Sequence, residues 1–304
     1  MPLVSVIMNI RNGSAYLREA LDCVMSQTFA NWELIAWDDC STDNSARIVA
    51  EYKDPRIRYF LSPEETPLGK ARDNAMRQAT GEWLAFLDQD DLWTATKLEK
   101  QMALANGDAG IIYGRAVLFW PSGRKRDYDQ AHEFSQLPEG DIFSELFRSA
   151  CFIAMSTAVL RRSAVEEIGG IPGWVEMAPD YCLYVAIARR YPARAVQEVV
   201  CWYRMHSSNM WQASRRKVHQ EALRTIDQWA GCLDPQMAAY RRRTYATGLA
   251  LEEMRSLASA GTGIRRLFSE GSVTWLMSRP FVNALRRMRR KLRQPLWQYS
   301  QFQD

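Results

Sequence analysis

Three carboxylates stand within four positions, at Asp88, Asp90 and Asp91, directly after the apolar run 83–87. Such a run is typical of a strand buried on both faces of a helix-covered parallel sheet. Carboxylates this close repel one another, and partial burial adds a desolvation cost. A divalent cation, Mg²⁺ or Mn²⁺, would offset both effects, with a substrate diphosphate completing its ligands. The alternative is a solvated acidic turn that caps the next helix.

Acidic residues also close an earlier strand-like run, 32–37, at Asp38 and Asp39. Ligands of open α/β sheets bind beyond the carboxyl ends of the strands. Asp39 could therefore accept hydrogen bonds from a ribose hydroxyl or a base N–H, although both residues could instead only cap the following helix. The first turn lacks G-x-G-x-x-G, which counts against a nicotinamide dehydrogenase.

Basic residues open a later predicted helix in the segment 69–74. Gly69 could let the backbone approach a ligand, and helix N-termini favour anions. Arg72, in the first turn of this helix, could bind a phosphate through two parallel hydrogen bonds. The alternative is a surface basic pair. Asp180, beside Pro179, is an ordinary helix N-terminal charge unless the fold brings it opposite the metal.

Alternating elements must position these residues. Strands are predicted at 3–8, 32–37, 57–61, 83–87 and 109–113. Helices are predicted between them at 15–27 and 68–79. Two more helices would begin after the capping residues 41–44 and at a capping box at 96–99. This order predicts a doubly wound, mostly parallel α/β sheet. Beyond it are predicted a hairpin (117–120 with 125–128), a strand at 156–161, a capping box at 163–166, a helix at 179–190, and helices after Arg215 broken at Pro235, 261–263 and Pro280.

Composition excludes several other classes of protein. The 304 residues carry a small net charge of +4, and the six cysteines form no C-x-x-C pair, so neither a zinc site nor a disulfide framework is indicated. No secretory signal or apolar run of about 18 residues is visible. A cytoplasmic protein with reduced thiols is the expectation.

A set of motifs follows in a fixed order: 4–13, 16–20, 27–29, 32–35, 38–43, 69–74, 79–82, 86–93, 180–181 and 203–206. Together they resemble family 2 glycosyltransferases over about residues 3–210. The resemblance implies a GT-A fold at 1–210, a nucleotide-sugar donor and inversion at the anomeric carbon, with 211–304 as a helical C-terminal region.

The resemblance also assigns roles by position. Asp39 would contact the base or ribose, Arg72 and Asp88 would lie near the donor diphosphate, and Asp180 would be the general base. The implied metal site comprises Asp88, Asp90, Asp91 and His206. Four positions depart from the family pattern: Asn9 and Arg11 replace proline and tyrosine in the donor pocket, Asp73 replaces asparagine near the same pocket, and Pro179 replaces an acid.

The C-terminal segment 279–297 is basic and interleaved with apolar and aromatic residues. This pattern favours docking on an anionic membrane surface. A packed helix with a solvated basic face is the alternative, and nucleic-acid contact is the least favoured.

The sequence therefore predicts a metal-dependent inverting glycosyltransferase of cell-surface polysaccharide or glycolipid assembly. It would act on a saccharide or lipid-linked acceptor, from the cytoplasm or the cytoplasmic face of the membrane. Two alternatives stay open. A sugar-nucleotidyltransferase would also use strand-end carboxylates, but the glycine-rich basic loop it needs after the first strand is absent. A scaffold would bind nucleotide sugars without turnover.

Overall fold

The computed structural model describes residues 3–127, 134–149, 151–207, 209 and 214–267. Its strands are β1 Val4–Ile10, β2 Trp32–Asp38, β3 Ile57–Leu61, β4 Trp83–Phe86, β5 Leu92–Trp93, β6 Ile111–Phe119, β7 Lys125–Asp127, β8 Val159–Arg161 and β9 Ala193–Arg204. Its helices are α1 Leu17–Met25, α2 Ser45–Glu51, α3 Leu68–Met76, α4 Lys97–Met102, α5 Phe143–Arg148, α6 Arg162–Glu167, α7 Pro179–Ala188, α8 Arg215–Trp229 and α9 Pro235–Leu267. Short 3₁₀ turns occupy Met155–Thr157 and Ala230–Cys232.

Within these residues the strands form one mixed sheet in the order β3-β2-β1-β4-β8-β6-β9-β5, with β7 paired to β6. The strands β3, β2, β1 and β4 are parallel, as the alternation of elements predicts. The predicted hairpin is confirmed by the antiparallel pairing of β6 and β7. The α/β class is therefore confirmed; β8 is inserted antiparallel between β4 and β6, and β5 pairs antiparallel with β9.

The strands are apolar because both faces of the sheet are covered. Side chains of a strand alternate between faces, and here they alternate between two hydrophobic clusters. Val6 and Met8 of β1 join α1, α2 and α4 in one cluster. Ile7 joins α3, α5, α6, α7 and α8 in the other. All seven positions of β2 are buried, including Glu33, whose carboxylate accepts hydrogen bonds from Ser5, Arg58 and Thr80.

Several local predictions are wrong. Neither capping box forms: the helix after Thr96 has no side-chain cap, and Glu99 instead accepts a hydrogen bond from Thr28 Oγ1 at 2.6 Å. Ser163 lies inside α6, whose N-cap residue is Arg161. α9 continues through Gly261–Gly263 to Leu267, since glycine costs a helix only about 1 kcal/mol. The sequence reasoning also missed β5 and β9, and Pro280 lies outside the described residues.

The chain divides into two compact units, Met1–Glu252 and Glu253–Asp304. The first contains the sheet and α8. The second is described only for the last part of α9, so the division expected after residue 210 stays a prediction. In the described part of the chain, no helix has both the length and the apolar character needed to cross a bilayer.

Candidate active site

The parallel strands bring the polar segments to one edge of the sheet. Val4 of β1 is in register with Trp32 of β2 and with Trp83 of β4; β1 and β2 end level at Ile10 and Asp38, and β4 ends at Phe86, opposite Ile7. The segments that follow them carry Arg11, Asp39 and the cluster 88–91. This is the edge where ligands of open α/β sheets bind.

An amide holds the first of these loops in place. Arg11 N donates to Gln89 Oε1 at 2.9 Å, and Gln89 Nε2 donates to Arg11 O at 3.0 Å. A Cβ on Gly13 would lie 2.2 Å from Gln89 Oε1, so a larger residue at position 13 would displace this amide. Gln89 ties the loop after β1 to the acidic cluster, and sequence reasoning missed it because an amide between carboxylates has no distinctive pattern.

Arg11 and Asp39 meet at the same edge. Arg11 Nη1 donates to Asp39 O at 2.6 Å, and Nη2 pairs with Glu65 at 2.5 Å. The Asp39 carboxylate accepts hydrogen bonds at 3.0 Å from both the backbone N–H and the hydroxyl of Thr66. Asp38 accepts from Ser41 N and from the Tyr59 hydroxyl. Neither aspartate caps α2, so the capping alternative is wrong for both.

Asn9, the other departure in the first strand, has a different environment. Its side-chain Nδ2 and Oδ1 are both buried, and neither has a hydrogen-bond partner among the described residues. Asp73 has both carboxylate oxygens engaged: Oδ1 accepts from Ile171 N at 3.2 Å, and Oδ2 accepts from Arg77 Nε at 2.9 Å. Its carboxylate anchors a neighbouring loop, and the expectation that Asp73 sits near the donor pocket stays a prediction.

Arg72 reaches the acidic cluster from α3. Its side chain is only 4% exposed, and Nη2 pairs with Asp88 Oδ1 at 2.5 Å. Asp88 is about one third exposed, at 32%. The surface-pair alternative is thus wrong for Arg72, because a buried guanidinium is aimed at the centre of the cluster.

Asp90 contacts His206, which follows it by 116 residues in the sequence. His206 Nε2 lies 2.8 Å from Asp90 Oδ2. Burial, and then the charge of Asp88, raises the pKa of the Asp90 carboxyl. The His206 ring also packs 5.1 Å from that of Tyr16. A carboxylate and an imidazole in contact form a donor pair suited to a divalent cation.

Asp91 has a different environment. It is 1% exposed, its Oδ2 accepts from Ser156 Oγ at 2.5 Å, and its Oδ1 accepts from Arg204 N at 2.9 Å. Ser156 Oγ in turn accepts from Asp88 N at 3.1 Å. Both oxygens of Asp91 are occupied in the interior, so Asp91 holds β9 and the 3₁₀ turn behind the cluster and does not face the edge.

Asp180 lies at the first turn of α7, and its Oδ1 accepts from Tyr181 N at 2.9 Å. Burial raises the pKa of the Asp180 carboxyl, the charge of Arg72 lowers it, and Asp88 raises it. Asp180 therefore lies close enough to the Arg72–Asp88 pair to sense both charges, although more than 90 residues separate it from them in sequence.

Two contacts hold α7 in this place. Gly69 N donates to Glu176 O at 3.0 Å, and a Cβ on Gly69 would lie 2.1 Å from Val175 O. The close approach at Gly69 is therefore to protein backbone, which corrects the expectation of a ligand contact. The carboxylate of Glu221 on α8 accepts hydrogen bonds from the N–H groups of Glu176, Met177 and Ala178. Sequence reasoning missed Glu221, which no motif distinguishes from a surface glutamate.

In the described ranges, no three His, Cys, Asp or Glu side chains are gathered as a ready metal cage. Asp90 and His206 contact each other, Asp88 is paired with Arg72, and Asp91 points inward. Oxygen atoms from a bound diphosphate would be needed to complete a coordination shell here.

Several known proteins are similar to this chain in sequence. A family model described as glycosyl transferase family 2 matches residues 5–169. A putative teichuronic acid biosynthesis glycosyltransferase of Bacillus subtilis is 28% identical over 225 residues, covering 71% of this chain and 85% of that protein. A UDP-Glc:alpha-D-GlcNAc-diphosphoundecaprenol beta-1,3-glucosyltransferase of Escherichia coli is 31% identical over 211 residues, covering 69% of this chain and 80% of that protein.

Solved structures show the same fold. S. aureus TarS 1-349 in complex with UDP-GlcNAc superposes with a TM-score of 0.63 at 19% identity, covering 94% of this chain and 80% of that one. A mannosyltransferase of Pyrobaculum calidifontis in complex with GDP-Man and Mn²⁺ gives a TM-score of 0.61 at 20% identity, covering 96% and 85%. The fold of this chain is thus of the GT-A type.

Proposed function

Because this chain belongs to glycosyl transferase family 2, we propose that it moves a sugar from a nucleotide-sugar donor to an acceptor hydroxyl with inversion at the anomeric carbon. One observation carries the proposal: the Arg72–Asp88 pair, the Asp90–His206 pair and the Asp180 carboxyl lie together at the ends of β1, β2 and β4. The residues that would bind the leaving diphosphate are therefore adjacent to the carboxyl that would act as the general base.

The donor would lie along the edge formed by Asn9, Arg11 and Asp39. Asp39 and Arg11 would contact the base or ribose, and Arg72 would contact a phosphate through its planar guanidinium. The complexes of relatives with UDP-GlcNAc and with GDP-Man support a nucleotide-sugar donor. With the donor placed in this way, Asp88 would lie between the donor phosphates and the proposed general base, Asp180.

Residues of this chain fit a divalent cation, Mg²⁺ or Mn²⁺. Asp90 and His206 would hold it, with Asp88 contributing once Arg72 engages the donor phosphate. The Mn²⁺ complex of a structural relative supports such an ion. When bound, the cation would neutralise charge on the departing diphosphate.

Asp180 would act as the general base. It takes the proton of the acceptor hydroxyl as that oxygen bonds to the anomeric carbon, while the bond from carbon to the diphosphate oxygen breaks and its electrons leave with the nucleoside diphosphate. Attack on the face opposite the leaving group inverts the configuration. Arg72 opposes the rise in the pKa of Asp180, which keeps more of the base ionised.

The acceptor would be a saccharide or lipid-linked saccharide of cell-surface polysaccharide or glycolipid assembly. The E. coli relative acts on a sugar linked to diphosphoundecaprenol, and the B. subtilis relative is a putative teichuronic acid enzyme. Action from the cytoplasm at the inner face of the membrane would suit such acceptors. Docking through residues 279–297 lies outside the described residues and stays a prediction.

Incubation with a panel of UDP- and GDP-sugars, in Mn²⁺, Mg²⁺ or EDTA, tests the function. We expect release of nucleoside diphosphate from one donor, dependent on the cation, and loss of acceptor transfer in Asp180→Asn. Formation of a nucleoside triphosphate and a sugar 1-phosphate from the same donor, on addition of pyrophosphate, would instead indicate a nucleotidyltransferase. Binding of a donor without turnover would indicate a scaffold, and either result would contradict the proposal.

A further inference from the structure

A buried cation on α9 lacks an anionic partner in the described part of the chain. Arg241 is 7% exposed, and its Nε donates to the backbone oxygen of Phe147. Its guanidinium lies 5.4 Å from the ring of Tyr240, and its two Nη atoms make no hydrogen bond or ion pair with a residue that the structure describes. The next residue, Arg242, is exposed and pairs with Asp227 at 2.6 Å. A buried charge is costly unless it is paired, so this pattern points to a missing anion.

Two phenols lie beside this guanidinium. Tyr245 follows Arg241 by four residues on α9, which places the two on the same helix face. The Tyr245 ring lies 6.5 Å from that of Tyr181, and Tyr181 lies 5.9 Å from Phe147, whose carbonyl Arg241 binds. Tyr181 is 3% exposed, and its hydroxyl has no partner among the described residues. The cluster thus offers donors with no acceptor to receive them.

The cluster adjoins the proposed base. Tyr181 directly follows Asp180 and donates its N–H to the Asp180 carboxylate. Burial raises the pKa of Tyr245 to about 12, Arg241 lowers it, and Cys151 and Asp180 raise it further. Arg72 is the cation that lowers the pKa of Asp180, so Arg241 is not neutralised by the catalytic carboxylate.

We infer that Arg241, Tyr181 and Tyr245 bind a phosphate or diphosphate group carried by the acceptor, next to Asp180. A guanidinium with its Nε engaged keeps four N–H donors, and the two phenols add two more. A carboxylate has two oxygens to meet them, whereas phosphate groups present three or more, and arginine binds phosphate through two parallel hydrogen bonds. The inference rests on the proposed function, since it names the acceptor chemistry of the same site.

Calorimetric titration tests the site directly. The donor site is first saturated with the nucleoside diphosphate that binds best, and the protein is then titrated with octyl diphosphate, inorganic pyrophosphate or uncharged octyl glucoside. We expect Arg241→Gln to bind octyl diphosphate at least about tenfold more weakly than the unmodified protein, as for the loss of a charge-assisted hydrogen bond. The matched control Arg242→Gln, one residue along the same helix, should bind it unchanged.

Arg241→Lys keeps the charge and Tyr245→Phe keeps the ring, so these variants test the site if Arg241→Gln fails to fold. Each should weaken octyl diphosphate binding while leaving octyl glucoside unaffected. Tighter binding of octyl diphosphate than of pyrophosphate would support a lipid-linked source, and equal binding would support the same anion site with a free ligand. Equal affinity in the unmodified protein and in all three variants would overturn the inference. Absence of donor turnover would instead count against the proposed function, because the titration needs no catalysis.

Discussion

Removal of the Asp91 carboxylate separates a structural role from a metal-binding one. Asp91→Ala deletes the acceptors of Arg204 N and Ser156 Oγ, at 2.9 and 2.5 Å, and Ser156 is itself fully buried. Each buried donor left without a partner costs about 1–3 kcal/mol, so we expect a loss of about 2–6 kcal/mol in the free energy of unfolding. For a domain of this size that corresponds to a fall of about 5–20 °C in Tm.

Asp91→Asn should behave differently. The amide keeps an oxygen for Arg204 N–H and can donate to Ser156 Oγ. Burial, followed by the charges of Asp90 and Asp88, raises the pKa of the Asp91 carboxyl well above its ordinary value, so a neutral side chain suits the position. We expect Asp91→Asn to cost about 1–3 kcal/mol, less than Asp91→Ala, because only the Ser156 hydroxyl is left without its acceptor.

Urea denaturation and Mn²⁺ titration of turnover are the two assays, with Asp90→Asn as the matched control. Asp91→Asn should reach half-maximal turnover at the Mn²⁺ concentration that the unmodified protein needs, whereas Asp90→Asn should need a higher concentration. The reasoning is refuted if Asp91→Asn raises the Mn²⁺ requirement as much as Asp90→Asn does. It is also refuted if Asp91→Ala unfolds at the same urea concentration as the unmodified protein.

Three further predictions follow from buried charged groups. Because burial raises the pKa of Asp180, kcat/KM should fall at acidic pH with an apparent pKa above the ordinary aspartate value of about 3.9. A pH–rate profile measures this apparent pKa, and a value at or below about 3.9 would contradict the prediction. Glu221→Gln should lower kcat and cost about 1–3 kcal/mol in the free energy of unfolding, because one carboxylate oxygen no longer accepts hydrogen bonds from the N–H groups before Asp180. Steady-state kinetics and urea denaturation measure the two effects. The control variant Gln220→Ala, at an exposed neighbouring position, should change neither. Lys97 is fully buried, and burial lowers its pKa from 10.5 to about 7. The unfolded chain therefore binds more protons than the folded one above pH 7, so the free energy of unfolding should rise between pH 7 and pH 9. Lys97→Met should flatten that rise in urea unfolding curves, and an unchanged slope would show that Lys97 does not cause it.

Local pattern accounts for the first half of the fold. The apolar run at 83–87 predicted a buried parallel strand because burial on both faces removes the polar alternation of a half-exposed strand. The acidic residues that follow β2 and β4 are adjacent in space because parallel strands end at one edge. The missed strand β9 alternates less clearly, since its burial varies along its 12 residues.

Capping boxes were a less reliable guide. Glu99 has the spacing of a capping residue, yet its carboxylate bonds to Thr28, which the fold brings near α4. Gly69 matched a ligand-binding glycine, yet the space beside its Cα is filled by the backbone at Val175. In both cases a tertiary neighbour competes with the local partner, and no short motif encodes that neighbour.

By itself, then, the sequence determined the α/β class, the family, and the clustering of Asp39, Asp88 and Asp90 at the end of parallel strands, because each depends on residues close together in the chain or on the direction of a strand. Only the tertiary structure decided that Asp91 faces the interior, that Glu221 secures the turn before Asp180, and that Arg241 is buried without a counter-ion in the described residues. These depend on which distant backbone or side chain occupies the space around each group. That choice is made by the packing of the whole core, in which hydrogen-bonding groups must find partners wherever the apolar contacts have placed them.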